Sequence, residues 1–96
     1  MSAYVIRSGD RAAFLAGLRE LIDFLTANSA VVVPRHASIV VLVDACDSDG
    51  RREGVESVAA PLGVPTEDLG QGYFNARREF GPIAYVAVAT PAKERQ

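Results

Sequence analysis

"SIVVLVDA", residues 38–45, decides the fold. From Ile39 to Val43 it holds no polar residue, and all but Leu42 in that run are β-branched. Such a run reads as a strand. Side chains alternate across a strand, so Ile39, Val41 and Val43 take one side of a sheet and Val40 and Leu42 the other. Neither side is polar, which places the strand centrally.

Working outward, the segment before it is helical. Phe14, Leu15, Leu18, Leu21, Ile22 and Leu25 recur at three- and four-residue steps and form one apolar stripe between Arg11 and Ala27. Arg11, Arg19, Glu20, Asp23 and Thr26 fall outside it. Ser8 and Asp10 are both acceptable N-caps, and Asn28 follows the last turn. "AYVIR" (3–7) is a short strand ahead of the helix. Strand, helix and strand together predict a right-handed βαβ crossover.

On the other side, "CDSDG" turns into a second helix over roughly residues 51–60, with a narrower stripe of Val55, Val58, Ala59 and Leu62. Pro61 and Gly63 mark its end. "VPTEDLGQG" reads as a polar loop. Strands over about 72–80 and 83–90 follow, joined at "FGPI", where Gly81 can take the positive φ of a tight hairpin turn. The expected order is β-α-β-α-β-β: an α/β (α+β) two-layer sandwich with a four-stranded mixed sheet and both helices on one face. The 96 residues make one domain, 1–96.

Almost half the residues are hydrophobic and under a quarter charged, a globular balance. The net charge of −2 supplies no overall positive field for nucleic acid. Residues 1–48 carry four basic and five acidic groups and residues 49–96 six and seven, so neither half is a basic arm. Cys46 is the only cysteine, which excludes an intramolecular disulfide and suits a reducing cytoplasm. "MSAYVIRSGD" lacks the order of a signal peptide, and no apolar run reaches the ~20 residues of a membrane span. A soluble cytoplasmic protein is expected.

Each candidate chemistry has a plainer reading. "DACDSDG" resembles part of a calcium loop, but Ala45 stands where the first carboxylate ligand is needed and Arg52 where an apolar anchor is needed. Asp47, Ser48 and Asp49 instead suit the capping of the second helix. A phosphate at this turn would be drawn by Arg51 and Arg52 and repelled by Asp44, Asp47 and Asp49. Cys46 and His36 flank the central strand, roughly 30 Å apart at ~3.3 Å per residue, too far for a nucleophile–base pair. Cys46 reads as a small, partly buried residue at a strand end and His36 as a surface residue. No catalytic residue, metal ligand or cofactor site is assigned.

In "YFNARREF" (73–80), Tyr73, Asn75, Arg77 and Glu79 share one face; Phe74, Ala76, Arg78 and Phe80 share the other. The second face should meet the core, with Arg78 reaching out or pairing with an acid. The interleaved rings and guanidiniums are thus the period-two pattern of a half-buried strand. In the last strand both faces are apolar and rich in alanine, so the sheet carries more apolar surface than two short helices cover.

"FLAGLRELIDFLTANSAV…PRHA" and "GYFNARREFGPIAYVAVA" resemble short uncharacterised proteins of GC-rich actinobacterial genomes, including their phages and mobile elements. The resemblance implies a small accessory protein and transfers no functional residue. The sequence therefore predicts a non-enzymatic module that associates with itself, as a homodimer, or with another protein. One alternative is a nucleic-acid accessory protein using Arg35, Tyr73, Arg77 and Arg78, with Arg51 and Arg52 beside them. Another is a small enzyme with a cleft around Ser8, Asp44 and Asp47.

Overall fold

The computed structural model describes residues 3–91. Its elements are β1 (Val5–Ile6), α1 (Arg11–Ala27), β2 (Ala37–Asp44), α2 (Ser48–Leu62), β3 (Glu67–Gly70), β4 (Tyr73–Phe80) and β5 (Ile83–Ala89). The fold is α+β, with two helices and an open mixed sheet of five strands in the order β1-β2-β5-β4-β3. The expected central strand is β2, which pairs with β1 on one side and β5 on the other.

Three expectations are corrected. The polar segment read as a loop contains β3, so the sheet has five strands. β3 holds its place through main-chain pairing with β4, and Gln71–Gly72 turns the chain between them. Second, β1 runs antiparallel to its neighbour β2, so β1-α1-β2 is not a parallel crossover. The parallel pair is β2 with β5, in register from Ala37↔Ile83 to Val43↔Ala89. Third, only α2 packs on the sheet. No residue of α1 is buried, and α1 has no extensive contact with any strand or with α2.

α2 is longer than its stripe implies, because Ser48–Gly50 form its first turn. Asp47 is the N-cap, its Oδ1 accepting from the Gly50 N–H at 2.7 Å. Gly63, at φ 74°, ends the helix by donating its N–H to Ala59 and Ala60. Pro61 is accommodated in the last turn. α2 lies close on the sheet through Gly50 and Gly54; a Cβ at Gly54 would collide with Val43 and press on Tyr4. The core forms between Val55 and Ala59 of α2 and Val43, Phe74, Ala76, Ala87 and Ala89 of the sheet. Val55 and Phe74 are its largest fully buried side chains.

α1 has the expected bounds. Asp10, and not Ser8, caps it, accepting from the Ala13 N–H at 3.1 Å. At its far end Asn28 donates from Nδ2 to the Phe24 carbonyl at 2.8 Å. The radius of gyration is 15.9 Å, against ~12.5 Å for a compact chain of this length. The long axis measures 49 Å. Both values follow from a helix that stands clear of the sheet.

Candidate interaction surface

The registers divide the sheet into two faces. Val43, Ala89, Ala87, Phe74 and Ala76 point toward α2. The opposite face carries Val5 from β1, Ser38, Val40, Leu42 and Asp44 from β2, Ala84, Val86 and Val88 from β5, Tyr73, Asn75, Arg77 and Glu79 from β4, and Glu67 from β3. Neither helix packs there. Val40 and Leu42 remain 50% and 46% exposed, in the middle of a strand with no polar residue from Ile39 to Val43.

This open face is apolar along β2 and β5, with one ion pair at an end and another along β4. Arg7 Nε pairs with Asp44 Oδ2 at the end, and Arg77 Nε with Glu79 Oε2 at 3.2 Å along β4. All four side chains are at least half exposed, so each pair contributes little to stability. Glu67, opposite Asn75 in the β3–β4 register, adds a further carboxylate to this face. Asn75 lies on it with Oδ1 buried and without a hydrogen-bond partner among the described residues.

The second uncovered surface is the stripe of α1. Phe14, Leu15, Leu21 and Ile22 are all exposed, and Phe24 widens the stripe on one side. Only Leu18 and Leu25, along its midline, are partly shielded. Val31, Val32 and Val33 continue the exposed apolar surface beyond the helix.

The four residues singled out from the sequence do not converge. Tyr73 and Arg77 share the open face, four residues apart on β4, and Arg77 is engaged by Glu79. Arg78 is on the α2 side. It pairs with no acid among the described residues: Nη1 donates to the Leu62 carbonyl at 3.0 Å, and its guanidinium lies 5.2 Å from the Phe80 ring centre. Arg35 is exposed in the segment between α1 and β2. Of the two arginines set beside them, Arg52 contacts Asp49 and lies 5.1 Å from the Phe74 ring centre. Arg51 is buried, with Nε donating to the Gly72 carbonyl and Nη1 to that of Ala45.

The residues weighed for chemistry are dispersed in the same way. Asp44 is paired with Arg7, and Asp47 caps α2. Cys46 is exposed, where partial burial was expected, because it lies in the short turn between β2 and α2. His36 borders a shallow depression of about 220 Å³ with Arg77, Glu79 and residues 81–84. No group of three or more His, Cys, Asp or Glu side chains is placed to hold a metal ion among the described residues. None of their helices is long and apolar enough to cross a membrane.

The surfaces that sequence reading located only in part are the ones left bare. Val40 and Leu42 were legible as a second apolar face of the central strand. The exposure of α1 was not, because a helical stripe shows that a helix needs a partner without saying which. The chain matches no family model, no curated protein and no solved structure.

Proposed function

We propose that this protein is a small non-enzymatic interaction module that works by self-association, as an accessory protein of the phage or mobile-element kind. One observation carries the reading: among the described residues the α1 stripe is exposed, and so are Val40 and Leu42 on the face of the sheet away from α2. Apolar surface on this scale marks an interaction site. A cytoplasmic setting fits an exposed Cys46 that has no second cysteine to pair with.

The sheet edges favour association through faces. β1 has two residues, and β3 has four with Glu67 and Asp68 among them. Short, charged edges discourage strand addition. The nucleic-acid alternative draws less support, since Arg77 is engaged by Glu79, Arg78 by a main-chain carbonyl, and Arg51 is buried. A phosphate-binding surface needs cations free to meet the backbone.

Sedimentation velocity at micromolar concentration tests the proposal. A dimer whose mass is insensitive to salt is expected for an apolar interface. A monomer throughout the micromolar range, or an association that salt abolishes, overturns it.

A further inference from the structure

We propose that the partner is a second copy of this chain, and that the two copies exchange helices: α1 of each lies on the open sheet face of the other. This rests on the self-association reading and specifies its geometry.

The chain carries both halves of one contact. α1 has 17 residues, and at 1.5 Å per residue it is about 25 Å long. β2, which runs along the open face, has 8 residues and at ~3.3 Å per residue extends about 26 Å. The helix therefore matches the face in length. It also matches in character, because Phe14, Leu21 and Ile22 of the stripe and Val40 and Leu42 of β2 are all apolar and half exposed, beside Ala84 and Val86 of β5, which are buried. The Arg7–Asp44 pair sits at one end of the face, and the Arg77–Glu79 pair borders it along β4, where Arg77 is level with Val86 and Val40.

The area is also adequate. From their fractional exposures, the large α1 side chains with Val40, Leu42 and Tyr73 hold on the order of 700 Å² of accessible surface per chain, near the ~800 Å² per partner of a standard interface. A helix-to-helix dimer would leave both sheet faces bare, and a sheet-to-sheet dimer would leave both helices bare. Only reciprocal exchange about a two-fold axis covers both surfaces in both copies with one repeated contact. Each sheet would then have a helix on either side, its own α2 on one and the partner's α1 on the other.

Single-cysteine chains in a Cys46→Ser background test the exchange with a short bismaleimide cross-linker. One chain carries Ile22→Cys on α1 and the other Leu42→Cys on the sheet. Both positions are exposed, so both variants should fold, which circular dichroism checks. An equimolar mixture is expected to give several-fold more covalent dimer than either chain alone. Leu15→Cys with Val40→Cys supplies a second pair in case register displaces the first. Dimers by sedimentation that link Ile22→Cys to itself, or Leu42→Cys to itself, in preference to the mixed pair overturn the exchange and leave self-association standing. Monomers without cross-links overturn both.

Discussion

Arg51, on α2, donates from Nε to the carbonyl of Gly72 at 2.8 Å, across 21 positions of sequence. Its Nη1 reaches the Ala45 carbonyl at 3.3 Å. One guanidinium thus ties the first turn of α2 to the end of β2 and to the β3–β4 turn. It is 7% exposed, and no carboxylate pairs with it among the described residues. Arg51→Ala should cost about 2–3 kcal/mol in urea unfolding, since two hydrogen bonds from a buried charged group are lost and two part-buried carbonyls are left without that donor. Arg51→Lys should recover little, because an ammonium cannot span both carbonyls as the planar fork does.

Gly54 should behave opposite to an ordinary helical glycine. Alanine in an exposed helix interior gains ~0.5–1 kcal/mol over glycine, and Gly17→Ala on α1, with open space around the added Cβ, should show that gain. Gly54→Ala drives a methyl into Val43 and Tyr4 and should instead lose ~1–3 kcal/mol as overpacking. Parallel denaturant titrations of the two variants check the reversal of sign.

Gln71 has φ 58°, and Gly72 beside it has φ 84°. Two consecutive positive φ values are what a two-residue type I′ hairpin turn requires, and asparagine suits the first position best. Gln71→Asn should raise stability by about 0.5 kcal/mol, a rise of a few degrees in Tm. Gln71→Val should lower it, because a β-branched side chain resists this conformation. Differential scanning calorimetry resolves both.

Asp47 couples the end of β2 to the start of α2 through its bond to the Gly50 N–H. Asp47→Ala should cost about 1 kcal/mol and Asp47→Ser much less, because serine also accepts at an N-cap. If the two variants unfold at the same denaturant concentration, the cap contributes no measurable stability.

The parts of the fold legible in sequence are those with a local cause. α1 was bounded correctly because Asp10 and Asn28 bracket an unbroken stripe. β4 and β5 followed from alternation and from Gly81, which has φ 63°. α2 was placed three residues late because Ser48, Asp49 and Gly50 are turn formers, and their helical state depends on Asp47 and on the close seat of Gly50 near Ala3 and Ala45. β3 was missed because "EDLG" shows no apolar alternation and is exposed throughout. Its signal lay in the two glycines at 70 and 72, whose positive φ values shape the bulge and hairpin beside it. The bare open face was half visible in Val40 and Leu42. The isolation of α1 had no local sign, because its periodicity would be the same with a partner in either chain.

β5, the last strand of the described residues, occupies the middle of the sheet, with β2 along one side and β4 along the other. During synthesis β2 is therefore finished long before the strand it must lie beside. A nascent chain that has reached Asp44 exposes a β-branched ribbon whose one sheet neighbour already made, among the described residues, is the two-residue β1. Closing the β2–β5 pair brings together Ala37 and Ile83, and such distant pairing is entropically costly and slow. Ribosome-bound intermediates should consequently be rich in helix, poor in sheet and prone to recruit chaperones, with the native architecture arriving in one late step once Ile83–Ala89 has emerged.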